Sequence, residues 1–132
     1  MSEESIESHS KTYIAIVEDD ESLCRSLARL LTVSGYQPVT YLSAEEFLRD
    51  TKRPAFDCLV IDIQLSGMSG VELRQRLFDK GVNIPVIYLT AHEGWKDIQE
   101  KITTPYAAFL RKSAPGEVLC AAIESSIRKS KG

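Results

Sequence analysis

Four sets of residues in this chain carry side chains suited to chemistry, and each follows a short apolar run. Glu18-Asp19-Asp20 follows Tyr13-Ile14-Ala15-Ile16-Val17. Asp62 follows Cys58-Leu59-Val60-Ile61, Thr90 follows Val86-Ile87-Tyr88-Leu89, and Arg111-Lys112 follows Ala107-Ala108-Phe109-Leu110. Carboxylates gathered at one place repel and raise one another's pKa unless a positive charge joins them. A hard divalent cation answers that need, and Mg2+ takes one or two carboxylates together with waters and phosphate oxygens. A carboxylate beside such a cation can attack phosphorus and become an acyl phosphate. The charge that develops on the phosphoryl oxygens needs donors, which an ammonium such as Lys112 and a hydroxyl such as Thr90 supply. The chemistry to look for is phosphoryl transfer, provided the fold brings these segments together.

The apolar runs are nearly continuous, as expected of strands buried on both faces of a parallel sheet. Gln37–Tyr41 is more polar and reads as an edge strand. Helical patterns lie between the runs. Leu23, Leu27, Leu30 and Leu31 share one face of a helix that stops at Gly35. Ser43-Ala44-Glu45-Glu46 reads as a capping box ahead of Phe47 and Leu48. Val71–Lys80 ends at Gly81. Trp95, Ile98 and Ile102 mark a short helix that cannot run past Pro105. Val118, Leu119, Ala122, Ile123 and Ile127 line one face of a last helix, closed by Arg128, Lys129 and Lys131.

Five strands alternating with five helices predict a doubly wound α/β fold with helices on both faces of a five-stranded parallel sheet. The commonest strand order for such a sheet is the flavodoxin-like 2-1-3-4-5. Ligands of these folds sit beyond the carboxyl ends of the strands, and that edge is where the four polar sets fall.

At 132 residues the chain suits one domain. Residues 1–11 are polar and acidic and read as a flexible tail. Residues 12–130 form the domain, and 131–132 are its end or the start of a linker. Sixteen Lys and Arg against nineteen Asp and Glu give a formal net charge of −3, which argues against direct nucleic-acid binding. Three cysteines without metal-ligand spacing read as free thiols in a reducing, cytoplasmic compartment. No apolar stretch is long enough to cross a membrane, and no secretory signal is visible.

Read in order, Ile16-Val17-Glu18-Asp19-Asp20, Val60-Ile61-Asp62-Ile63-Gln64-Leu65, Gly67-Met68-Ser69-Gly70-Val71-Glu72-Leu73, Ile84-Pro85-Val86-Ile87-Tyr88-Leu89-Thr90-Ala91 and Phe109-Leu110-Arg111-Lys112 resemble the receiver domains of two-component response regulators. The resemblance covers about residues 12–130. The Ser43–Leu48 and Met68–Leu73 segments resemble FixJ-like receivers, whose family usually carries a helix-turn-helix DNA-binding domain after the receiver.

The resemblance implies that Asp62 is the phosphoacceptor. It implies that Asp19 is a direct Mg2+ ligand, that Glu18 acts on the metal through water, and that the backbone carbonyl of Gln64 is a further ligand. Thr90 and Phe109 become the switch residues, and Lys112 holds the phosphoryl oxygens. The implied donor is a sensor histidine kinase. A homodimer on phosphorylation and transcriptional control through a C-terminal DNA-binding domain outside this sequence also follow from the resemblance. The chain is then a signalling domain, not a metabolic enzyme.

Three positions depart from the family pattern. Ser66 stands where proline is usual, which points to a looser turn. Ser113 stands where proline follows the lysine in a cis peptide, and a cis bond before a non-proline residue costs about 2.5–4 kcal/mol. A trans bond is therefore expected there, with an altered reach for Lys112. Pro105 stands near the start of the fifth strand, where glycine is usual. These departures motivate an alternative, a receiver-like interaction module that works without phosphorylation. A nucleotide or flavin binder is disfavoured by an acidic first loop, and an aspartyl phosphatase by Gln64 in place of a second Asp. Gln64 and His92 are expected to flank the path of a hydrolytic water.

Each residue also has a plainer reading. Glu18-Asp19-Asp20 can cap a helix, Asp62 can be a turn residue, Thr90 a cap, Lys112 a solvated charge and Phe109 core.

Overall fold

The computed structural model describes residues 12–91 and 95–131. His92 and residues 1–11 lie outside the described residues, and so do the expectations placed on them.

The elements alternate throughout: β1 (Tyr13–Val17), α1 (Glu21–Val33), β2 (Gln37–Tyr41), α2 (Ala44–Arg49), β3 (Cys58–Asp62), α3 (Gly70–Asp79), β4 (Val86–Thr90), α4 (Trp95–Glu100), β5 (Ala108–Arg111) and α5 (Gly116–Lys131). All strand pairs are parallel, in the order β2-β1-β3-β4-β5. This is the expected flavodoxin-like order. β1, β3 and β4 form the centre, and every residue of β3 and β4 is buried.

Side chains of successive strand residues point to opposite faces. Ile14, Ile16, Cys58, Val60, Ile87 and Leu89 form one core with Cys24 and Leu31 of α1 and Leu119 and Ile123 of α5. Ala15, Val17, Leu59, Ile61, Val86 and Tyr88 form the other with Phe47 of α2 and Leu73 and Leu77 of α3. Ile98 of α4 packs against this second core.

α1 stops as its sequence requires. Gly35 takes a φ of 96°, and the amides of Gly35 and Tyr36 return to the carbonyls of Thr32 and Leu31 at 3.0 and 2.9 Å. Only a residue without Cβ reaches that conformation cheaply.

Three expectations need correction. The fifth strand is not buried on both faces: it begins one residue later than read, at Ala108, and lies half-exposed at the sheet edge. Inside the sheet each strand is flanked by side chains of both neighbours under the covering helices, whereas at this edge one flank is missing. Val118 is 41% exposed and lies off the buried face of α5. At α2, Ser43 Oγ accepts the Glu46 amide at 3.0 Å, but Glu46 Oε1 takes the amide of Leu42, not that of Ser43. The reciprocal capping box forms instead at Ser69 and Glu72, at the start of α3.

Candidate functional site

The acidic trio splits by role as soon as β1 ends. Asp20 caps α1, its side chain accepting the Leu23 amide at 3.2 Å. The plain capping reading therefore holds for Asp20. Glu18 extends the β1 ladder, its amide donating to the Tyr41 carbonyl at 3.0 Å, and its side chain turns inward to 1% exposure. Glu18 Oε2 accepts the Asp20 amide at 3.0 Å. Asp19 stays exposed, and its Oδ2 accepts both the amide and the hydroxyl of Ser66 at 3.3 Å.

Asp62 is the last residue of β3 and is 3% exposed. Its Oδ1 accepts the Gln64 amide at 3.0 Å. Its Oδ2 lies 3.0 Å from Lys112 Nζ, which also stands 3.0 Å from Glu18 Oε1. Lys112 follows β5 and is tied down by its own amide, which donates to the Thr90 carbonyl at 2.7 Å. Segments up to 94 residues apart meet here. Glu18, Asp19 and Asp62 each bring one carboxylate oxygen to within 4.8 Å of the others.

The Lys112–Ser113 peptide is trans, as expected. The expected change of reach does not follow, because Nζ still contacts both buried carboxylates. Ser66 likewise leaves no loose turn. A proline there has no N–H to give Asp19, whereas serine donates twice.

The electrostatics follow from burial. Burial pushes the Glu18 carboxyl above its ordinary 4.5, with the Asp20 amide and Lys112 opposing and the Asp62 charge adding to the rise. Burial alone would lower the Lys112 ammonium, but its hydrogen bonds to Asp62 and Glu18 prevail and hold it above 10.5. Three carboxylates face one ammonium, an excess of two negative charges when all are ionised. The Lys112 ammonium donates its hydrogen bond to Glu18 Oε2 at 3.3 Å, and buried Oε1 has the same ammonium at 3.0 Å as an ion pair without a well-formed hydrogen bond. An all-oxygen donor set with that excess charge and an unsatisfied buried oxygen fits a hard divalent cation.

Thr90 closes β4, fully buried, in register with Arg111. Phe109 is not among the carboxylates. It lies opposite Tyr88 in register and packs with Tyr88 and Tyr106 at ring distances of 6.0 and 6.1 Å. Gln64 sits on the exposed loop after β3 and reaches Asp62 through its amide.

Two contributors escaped the sequence reading. One is Ser66, seen only as a missing proline. The other is Gly70, where an added Cβ would stand 2.5 Å from the Asp62 carbonyl oxygen and 2.8 Å from Ile61 Cγ2. α3 can start against the end of β3 only because this position lacks a side chain. The signal was present in Ser69-Gly70, but nothing local says that a helical glycine faces a strand.

Comparison with known proteins gives the family and the fold. The family described as response regulator receiver domain matches residues 14–124. The chain belongs to that family, a signalling domain of two-component systems, and it has the family's five-stranded parallel fold. It is 35% identical to the transcriptional regulatory protein FixJ of Rhizobium meliloti over 111 residues, 84% of this chain and 54% of FixJ. It is 37% identical to nodulation protein W of Bradyrhizobium diazoefficiens over 86 residues, 65% of this chain and 38% of that protein. The chain thus spans about half or less of these relatives. The solved structure of FixJ-N superposes with a TM-score of 0.74 at 31% identity, covering 90% of this chain and 95% of that one. A receiver domain protein from Clostridium thermocellum shares the fold, with a TM-score of 0.82 at 22% identity, covering 91% and 97%. Among the described residues, no helix is long and apolar enough to cross a membrane.

Proposed function

We propose that this chain takes a phosphoryl group onto Asp62 from the phosphohistidine of a sensor kinase, and that the new charge resets a surface that controls a transcriptional output. The observation that carries this reading is the single ammonium of Lys112, 3.0 Å from Asp62 Oδ2, within a cluster of three carboxylates.

Each Asp62 carboxylate oxygen carries one donor, the backbone amide of Gln64 on Oδ1 and the mobile ammonium of Lys112 on Oδ2, and Oδ2, beside the ammonium, is taken as the attacking oxygen. An electron pair of Oδ2 forms the new O–P bond while the P–N bond to the histidine breaks. The imidazole keeps that electron pair and the Asp62 carboxylate becomes an acyl phosphate. Lys112 already touches Oδ2 and moves with the charge onto a phosphoryl oxygen. Asp19 and Glu18, with the Gln64 carbonyl, are the groups to hold Mg2+, Glu18 through water. When bound, the ion neutralises the phosphoryl oxygens and offsets carboxylate repulsion.

Thr90, beside the site, reads the phosphoryl group by its hydroxyl. Phe109 follows by shifting within its aromatic stack. An aspartyl phosphate carries about −1.5 to −2 charges where the free carboxylate carried one, and it adds new acceptor oxygens, a change that can bias a two-state surface. Control of transcription through a C-terminal DNA-binding domain, with or without dimerisation, rests on the relatives named transcriptional regulators.

The test is intact mass after incubation with Mg2+ and acetyl phosphate. The wild-type mass rises by one phosphoryl group, and Asp62→Asn shows no gain. The alternative, an interaction module independent of phosphorylation, requires that neither protein gain mass and that Asp62→Asn leave partner affinity unchanged.

A further inference from the structure

Arg74 is a cation placed inside the protein. It lies on α3 at 2% exposure, on the face that holds Leu73 and Leu77. Its Nε donates to the Pro105 carbonyl and its Nη1 to the Val82 carbonyl, each at 3.2 Å. Phe78 stacks at 5.6 Å from its guanidinium carbon. Among the described residues Arg74 pairs with no carboxylate. Two neutral carbonyls do not cancel a buried charge, and leaving one uncompensated is costly. Burial accordingly holds the guanidinium below its usual pKa.

The remaining donors are not sealed away. Among the described residues Nη2 makes no hydrogen bond, yet it is not one of their buried unpartnered atoms, which are Glu18 Oε1 and Tyr88 Oη. Arg74 lines a cavity of about 400 Å3, shared with Asn83, Pro105, Tyr106, Ser126 and Lys129. Among the described residues no acidic side chain borders it. The cavity lies at the amino ends of β4 and β5, across the sheet from Asp62.

We infer that this cavity binds the oxyanion group of a small molecule, a carboxylate or a phosphate, between Arg74 and Lys129, with the Tyr106 and Pro105 side chains against its body. A guanidinium presents paired N–H donors that match such oxygens, and low exposure strengthens the attraction. A purely structural clamp accounts for the two carbonyl bonds. It does not account for a second cation, Lys129, on the same acid-free cavity. This site is independent of the phosphoacceptor reading and stands or falls apart from it.

The experiment is a 1H–15N NMR titration of the metal-free full chain at constant ionic strength, with inorganic phosphate in one arm and acetate in the other. We expect saturable shifts at the amides of Asn83, Tyr106 and Ala107 in at least one arm, with a Kd on the order of millimolar. The tighter arm identifies the group. Lys129→Glu, on the exposed surface, weakens binding at least about tenfold, and Arg74→Gln abolishes the saturable shifts. Absence of saturation in wild type under both anions overturns the inference. So does an unchanged Kd in Lys129→Glu, which keeps the test decisive if Arg74→Gln does not fold.

Discussion

Lys112 does two jobs at one atom. Its Nζ lies 3.0 Å from oxygens of both Glu18 and Asp62, which are nearly sealed from solvent. Removing the ammonium leaves two buried carboxylates facing each other. Lys112→Met should therefore lower stability at neutral pH by about 2 kcal/mol in metal-free buffer, less than for a fully buried pair because the lysine is 22% exposed. Mg2+ should restore more stability to this variant than it adds to wild type. The rate of phosphorylation should still fall by about 10²-fold, since the phosphoryl oxygens lose their donor. Urea unfolding with and without Mg2+, and a time course of intact mass, measure the two effects. At this scale the sequence was informative about residue types and poor about partners. Asp62 and Lys112 were legible because each ends an apolar run. That Ser66 would hold Asp19 was not, since the bond spans 47 residues and depends on two loops meeting.

At the scale of elements, the junction of β3 and α3 sets the acceptor's position. Gly70 lets α3 begin against the Asp62 carbonyl, and the Ser69–Glu72 capping box fixes that start. Gly70→Ala places a methyl 2.5 Å from backbone oxygen and 3.1 Å from Ile63 Cα, neither of which can swing aside. It should cost about 1–3 kcal/mol by urea unfolding and slow phosphorylation in the same protein. Gly81→Ala serves as the comparison: nothing lies near its Cβ, though its φ of 79° carries backbone strain. It should lose stability without a matching loss of phosphorylation rate. Helix positions were legible from apolar spacing and from terminal signals such as Gly35. The apolar character of Ala108–Leu110 misled, because β5 lies at the sheet edge, where no further strand flanks its side chains beyond β4.

The whole molecule is a two-layered core around one sheet, and its interior holds several groups in their uncharged forms. Burial pushes the Cys58 thiol from 9.0 up to about 12 and the Tyr88 phenol from 10.0 up to about 12. The unfolded chain releases these protons first, so stability falls as pH rises from 9.0 towards 12. Lys112 acts in the same direction: its raised pKa gives a contribution that is full below 10.5 and lost as pH passes through the raised value. The urea midpoint should decline steadily over this range. Cys58→Ala should flatten the early part of the decline, whatever its effect on the level at neutral pH. The class of fold was legible in the alternation of runs and helices. The order of strands was not, because it is decided by crossovers and not by any segment's own composition; only its frequency among such sheets pointed to it.

The central claim is that the phosphoryl group resides on Asp62, and an acyl phosphate can be marked where it forms. Hydride reduces an aspartyl phosphate to homoserine with loss of the phosphate. Treating the Mg2+ and acetyl phosphate reaction with borohydride, then sequencing the peptides by mass spectrometry, reads the modified position. The account predicts homoserine at residue 62 and unmodified Asp19, Asp20 and Glu18. Homoserine at another aspartate, or none anywhere while the intact protein has gained a phosphoryl group, would contradict it.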